Sequence, residues 1–151
     1  MRLLHFFELP DMFDGRMYHR VGAHADWAFL TLLFQREGQD GLEICRGSEV
    51  VTEHGIGDEW TEVDTATGGI VCNIGNVLMS WSIDRFKSTF HRVKTPCGPN
   101  DYFGDRYSIV YFNHPCKDIS IQGPSKKYSM VAGTQFTERA MKRNWLLCRK
   151  S

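Results

Sequence analysis

Three side chains carry the strongest chemical signal in the chain. His24 and Asp26 stand two residues apart at the head of an apolar stretch, and His91 lies far downstream in Ser88-Thr89-Phe90-His91-Arg92-Val93. Two imidazoles and one carboxylate form a mixed nitrogen and oxygen ligand set that covers one face of an octahedral metal. The opposite face stays open for a co-substrate and dioxygen, which suits ferrous iron in oxygen chemistry. A period-two strand would project His24 and Asp26 to one side and turn Ala25 away. His91 must then arrive from another strand, and Phe90 and Val93 beside it give that segment strand character. His-x-Asp is also a common loop pair, so a solvated turn ahead of Trp27-Ala28-Phe29-Leu30 is the competing assignment.

A second constellation, Arg106-Tyr107-Ser108, opens the run Ile109-Val110-Tyr111-Phe112. Arg106 and Ser108 share a face for the same period-two reason. A planar guanidinium binds a carboxylate through two parallel hydrogen bonds, and a neighbouring hydroxyl adds a third. The pair therefore suits a dicarboxylate co-substrate. Its plainer alternative is a surface ion pair at the start of a strand.

Strands must position these groups. Eight strand-like runs cover 2–7, 21–24, 29–35, 42–46, 60–63, 69–74, 89–93 and 106–112. Turn clusters such as Gly38-Gln39-Asp40-Gly41, Gly68-Gly69 and Pro96-Cys97-Gly98-Pro99-Asn100 punctuate them, which favours an all-β sandwich or barrel over alternating βαβ units. A jelly roll of two facing sheets accommodates this count, with the site at its mouth. Residues 47–59 and 100–105 read as loops, and loops of this kind often cover active sites. The C-terminus reads as helical, with Thr134 as candidate cap and Phe136, Ala140, Trp145 and Leu147 near helical spacing. The expected division is a jelly-roll domain over 1–132 and a C-terminal helix and tail over 133–151.

Lysine plus arginine and aspartate plus glutamate number 18 each, for a net charge of zero, with 42% hydrophobic and 24% charged residues. These values fit one globular domain that buries about two thirds of the surface its unfolded chain exposes. Basic residues cluster only at Lys126-Lys127, Lys142-Arg143 and Arg149-Lys150, too few for a polyanion-binding stripe, so no nucleic-acid partner is expected. Cys45, Cys72, Cys97, Cys116 and Cys148 form no Cys-x-x-Cys pair and no even framework, which points to a reducing compartment. Cys72, between Val71 and Asn73, is expected to be a buried small hydrophobe. His5 and Glu8 interrupt the N-terminal apolar stretch, and no segment reaches membrane-spanning length, so a cytoplasmic location with no membrane partner is expected.

In this order the two constellations resemble the 2-oxoglutarate- and Fe(II)-dependent dioxygenase superfamily, within the group that looks like isopenicillin N synthase and the plant flavonoid and gibberellin oxygenases. The resemblance runs from the approach strand Met1-Arg2-Leu3-Leu4-His5-Phe6 through His24-Ala25-Asp26-Trp27 and Leu30-Thr31-Leu32-Leu33-Phe34-Gln35. It continues through Gly41-Leu42-Glu43-Ile44, Trp60-Thr61-Glu62-Val63, Asn73-Ile74-Gly75-Asn76 and Lys87 to Val93, and closes on Arg106-Tyr107-Ser108 and Phe112-Asn113-His114-Pro115. It implies a double-stranded β-helix of the cupin-like jelly-roll kind. It further implies that His24, Asp26 and His91 ligate Fe(II), that Arg106 and Ser108 bind the distal carboxylate of 2-oxoglutarate, and that dioxygen is the oxidant. The reaction class is then hydroxylation or desaturation of a small organic molecule, releasing succinate and carbon dioxide.

The chain also departs from the family pattern. Leu4-His5-Phe6 stands where plant relatives carry Asn-Tyr-Tyr, so two polar contacts to 2-oxoglutarate are absent. Asn76 follows Asn-Ile-Gly where an Asp is common, and Trp81-Ser82-Ile83-Asp84 replaces a Trp-Ser-Asn-Gly turn. Family members are considerably longer, with helices and strands ahead of the approach strand. An apolar outer face is therefore expected, to be covered by self-association or a partner. Two alternatives follow: an iron oxidase that dispenses with 2-oxoglutarate, and a truncated, non-catalytic jelly-roll module for binding or assembly. Trp27, Trp81, Tyr18 and Phe103 are candidates for substrate contact. His5 is placed either toward the pocket or in a hydrogen-bonded core, with His19 and His54 in loops and His114 at the end of the last strand.

Overall fold

Two four-stranded antiparallel sheets face each other in the computed structural model, which describes residues 1–10, 19–49, 59–136, 138, 139 and 142. One sheet orders β1 (Arg2–Phe6), β8 (Arg106–Asn113), β3 (Leu30–Gln35) and β6 (Ile70–Ile74). The other orders β2 (His19–His24), β7 (Thr89–Lys94), β4 (Leu42–Glu49) and β5 (Trp60–Glu62). The chain crosses between the sheets as it proceeds, giving a jelly roll of the double-stranded β-helix type. A two-residue ladder joins β9 (Ser120–Ile121) to β10 (Val131–Ala132). The residues described beyond it, 133–136, 138, 139 and 142, are helical.

Period-two alternation decides what faces the interior. Along β8, Arg106, Ser108 and Val110 are buried while Tyr107, Ile109 and Tyr111 are exposed. The inward set joins Leu4 and Phe6 of β1, Thr31 and Leu33 of β3, and Leu42 and Ile44 of β4 around a cavity of about 350 Å³ between the sheets. Ala25, Cys45 and Phe90 pack as a core cluster beneath Trp60. The outer face of the first sheet is apolar: Leu3 pairs with Ile109, Ile109 with Phe34, and Phe34 with Ile70 in one row across four strands. These four are 76%, 39%, 37% and 51% exposed, a continuous apolar strip of the kind expected from the sequence.

Several expectations are corrected. His19 opens β2 opposite Lys94 and is not a loop residue. β4 extends to Glu49, so the first residues of the expected 47–59 loop are strand. His54 and the rest of 50–58 lie outside the described residues, as do Tyr18, Ala140, Trp145, Leu147 and Cys148. Cys72 is exposed and Cys45 is the buried thiol, because Cys72 falls on the outward phase of β6. The Thr134 hydroxyl donates to the Lys117 carbonyl at 2.9 Å, tying the helix start to the preceding loop. A helix absent from the sequence reading, α1 (Asn76–Trp81), follows β6. It has six residues, no side-chain cap and no charge pattern at either end, so it carries none of the signals by which a helix is read. Among the described residues, no helix is long and apolar enough to cross a membrane.

Candidate active site

His24 and His91 are cross-strand partners of β2 and β7, with ring centroids 4.3 Å apart. Irregularities in the β2–β7 ladder just before His24 bend the strand there, a common device for re-aiming a side chain beside a site. β2 ends at His24, so Asp26 lies beyond the strand and does not follow the simple alternation expected of it. Backbone bonds hold it instead. The Asn76 amide donates to the Asp26 carbonyl at 2.8 Å, and the Gly75 amide donates to the Phe29 carbonyl at 3.1 Å. Gly75 is obligatory in this arrangement, since a Cβ there would sit 1.8 Å from the Ala28 carbonyl oxygen.

The three side chains converge. His24 Nε2 and His91 Nε2 each lie 3.7 Å from the same oxygen, Asp26 Oδ1. Their ligand atoms fall within 4.8 Å of one another, a spacing that suits a single metal ion. His24 Nδ1 is 2.8 Å from the Gly22 carbonyl and His91 Nδ1 is 3.3 Å from the Thr89 carbonyl. A carbonyl only accepts, so each Nδ1 carries the proton and each Nε2 presents its lone pair to the cluster. Burial is the main cause that lowers the His91 pKa, and His24 adds to it, against opposing effects of Asp26 and the Thr89 carbonyl. A neutral imidazole is the form that binds metal.

Farther along the same cavity, Arg106 is 1% exposed. Its Nε donates to the Gln39 carbonyl at 3.1 Å and its Nη2 to Gln35 Oε1 at 2.5 Å. Both acceptors are neutral, and among the described residues no carboxylate pairs with this guanidinium. Burial, and then the charge of Arg20, lowers the Arg106 pKa to about 10, with Asp40 opposing, so the cation persists at neutral pH. The Ser108 hydroxyl, on the same face, is buried without a hydrogen-bond partner among the described residues, and so is that of Thr31. An uncompensated buried cation beside unsatisfied hydroxyls is costly unless an anion with spare lone pairs completes it. A carboxylate supplies that complement.

The structure brings the five residues singled out in the sequence to one cavity, together with supports that sequence reasoning missed. Asn73 donates to Asp26 Oδ2 at 2.8 Å, and Gln35 and Gln39 clamp Arg106. Asn73 and Gln35 end apolar stretches already marked in the sequence, Ile70 to Cys72 and Leu32 to Phe34, whereas Gln39 lies in a turn cluster and gave no such signal. His5 projects to the outer face, stacked on Tyr107 at 4.4 Å and 3.1 Å from Asp105, while Leu4 and Phe6 line the cavity. Trp27, Trp81 and Phe103 do not line it either; Trp27 faces a separate groove with Met79 and Phe136. His114 stacks on Phe112 just past the end of β8.

A two-sheet β-roll with a two-histidine, one-carboxylate cluster in its cavity defines the class: a double-stranded β-helix equipped to hold a non-haem metal. The model of the 2OG-Fe(II) oxygenase superfamily matches residues 1–115. The 2-oxoglutarate-Fe(II) type oxidoreductase hxnY of Emericella nidulans is 30% identical over 96% of this chain and 40% of its own length. Proline hydroxylase buaE of Petromyces alliaceus is 36% identical over 74% of this chain and 33% of its own. The full-length Neurospora crassa protein crystallised with alpha-KG and thymine superposes with a TM-score of 0.77 at 28% identity, over 93% of this chain and 43% of that one. The chain therefore belongs to the 2OG-Fe(II) oxygenase superfamily, whose cofactors are Fe(II), 2-oxoglutarate and dioxygen. It spans less than half the length of each of these relatives.

Proposed function

We propose that this chain is an oxygenase core that uses Fe(II) and 2-oxoglutarate to hydroxylate or desaturate a small organic molecule. The observation that carries the reading is the approach of both histidine Nε2 atoms to one Asp26 oxygen, in the same cavity as the charge-uncompensated Arg106. His24, His91 and Asp26 would hold the iron, and the donor set fits it. Arg106 and Ser108 would bind the distal carboxylate of 2-oxoglutarate, for which the Ser108 hydroxyl, without a partner among the described residues, and the guanidinium, held there by neutral acceptors, speak. When bound, iron and 2-oxoglutarate supply dioxygen activation, the co-substrate being oxidised to succinate and carbon dioxide as the substrate is oxidised. The chain's own part is to hold two imidazoles in one tautomer, orient the co-substrate by a fixed cation, and exclude water with Leu4, Phe6, Leu33 and Val110. Residues 1–132 form the oxygenase domain in this reading and 133–151 a C-terminal helix and tail.

One observation favours a second reading. The apolar Leu4 and Phe6 give the co-substrate no polar contact from β1, which suits an iron oxidase that works without 2-oxoglutarate. Anaerobic reconstitution with Fe(II) and titration with 2-oxoglutarate separates the two. The expected result is the weak visible charge-transfer band of the ferrous chelate, lost in Arg106→Ala. Iron uptake without that band supports the second reading, and failure to take up iron at all refutes both.

A further inference from the structure

We propose that Asn73 is a positioning residue that decides which oxygen of Asp26 faces the metal, a reading that rests on the iron site proposed above. The two carboxylate oxygens have different surroundings. Oδ1 lies 3.7 Å from both His24 Nε2 and His91 Nε2, whereas Oδ2 accepts the Asn73 amide at 2.8 Å. The amide nitrogen, and not its oxygen, faces Oδ2, because a carboxylate only accepts. Asp26 is 6% exposed, so solvent does not replace a lost donor easily.

Asn73 stands on β6 in the first sheet, while His24 and His91 stand on β2 and β7 in the second. The bond therefore ties the carboxylate to the opposite wall of the roll. The same amide nitrogen lies 3.5 Å from His91 Nδ1, a packing contact and not a hydrogen bond, since that ring nitrogen already donates to Thr89.

This contact governs how many positions the metal has left. Two imidazoles and a single carboxylate oxygen fill half of an octahedral shell, leaving room for a bidentate α-keto acid and for dioxygen. A carboxylate that swings to offer both oxygens takes one of those positions. Asn73 engages Oδ2 and so holds Asp26 to one-oxygen binding.

Cobalt(II), loaded anaerobically into the full chain, tests this without turnover. The visible d–d spectrum reads the ligand shell, and calorimetry reads 2-oxoglutarate binding to the loaded protein. In Asn73→Leu, branched alike but without a donor, Co(II) is expected to stay bound. Its d–d spectrum should change before any 2-oxoglutarate is added, and 2-oxoglutarate affinity should fall roughly 10- to 100-fold, the range by which losing a partner that orients a metal ligand lowers metal affinity or activity. Asn73→Ala gives the same readouts if the bulkier side chain lowers the melting temperature. A spectrum and an affinity equal to wild type in the folded variants overturn the role of Asn73 alone. Failure of the wild-type chain to take up Co(II) sinks the metal site itself.

Discussion

Replacing Gln35 by Glu tests the reading of Arg106 with almost no change in shape. The Gln35 carboxamide oxygen accepts from Arg106 Nη2, and the other clamp on that guanidinium is the Gln39 carbonyl. Neutral acceptors orient the cation and leave its charge unspent. A glutamate at 35 places an anion about one hydrogen-bond length from a nearly inaccessible guanidinium. At an effective dielectric of ~20, unit charges ~4 Å apart attract by about 4 kcal/mol, before the desolvation of the new carboxylate is subtracted. A charge-assisted bond contributes about 1.5–3 kcal/mol net. The internal carboxylate then competes with the distal carboxylate of 2-oxoglutarate for the same cation. Affinity for 2-oxoglutarate is expected to fall by about 10- to 150-fold, the equivalent of that range. Metal uptake should be retained, since His24, Asp26 and His91 are not changed. The assay is calorimetric titration of the metal-loaded, oxygen-free protein with 2-oxoglutarate, beside a metal-uptake measurement on the same sample. Wild-type affinity in Gln35→Glu would refute the idea that this guanidinium is kept for a ligand anion.

His91→Ala is expected to abolish iron retention while His114→Ala leaves it intact, and equal iron content after gel filtration contradicts the ligand assignment. The pH dependence follows from Arg106, whose proton is held up to about pH 10. The ligand carboxylate needs the charged form, so 2-oxoglutarate affinity should stay level through neutral pH and decline as pH rises through about 10, a decline that is missing in Arg106→Ala. Ile83 is a β-branched residue at φ 63°, a left-handed conformation that costs about 1–2 kcal/mol for an ordinary side chain. Ile83→Asn should stabilise the fold by about 1 kcal/mol, read as a raised chemical-denaturation midpoint. The apolar strip Leu3, Ile109, Phe34 and Ile70 should drive self-association of this chain as it stands; a monomer mass in light scattering at high protein concentration argues against that.

The parts of the fold legible in the sequence were those governed by local period. All eight expected strands form, most within a residue or two of their expected ends, because runs such as Leu30 to Phe34 and Ile109 to Phe112, rich in aliphatic and aromatic residues and set off by turn clusters, are local signals. Strand alternation was expected to put both ligands on one side by carrying the pattern of the 21–24 run on to Asp26. In fact β2 stops at His24, and Asp26 is aimed by backbone bonds from Asn76 and by the Asn73 side chain. Those contacts join residues 47 to 50 positions apart, so no local pattern around Asp26 announces them. The same holds for Arg106, whose partners at 35 and 39 come from the strand beside it and the turn that follows. Helix α1 escaped for the opposite reason: it is local but too short and uncapped to leave a period.

What the site shares at both ends is a division of labour between charged and neutral groups. Each group proposed to meet a ligand is held by neutral partners: His24 by Gly22, His91 by Thr89, Asp26 by Asn73, and Arg106 by Gln35 and Gln39. Had evolution supported Arg106 with a carboxylate or Asp26 with a lysine, the structure would be locally neutral and its affinity for ions correspondingly low. Amides and carbonyls fix direction without cancelling charge, which leaves Asp26 and Arg106 as opposite charges facing a single cavity of about 350 Å³, whose lining also holds Lys87. Two opposite charges left open in one apolar chamber call for a cation at one end and an anion at the other, and a metal chelated by a dicarboxylate meets both demands at once.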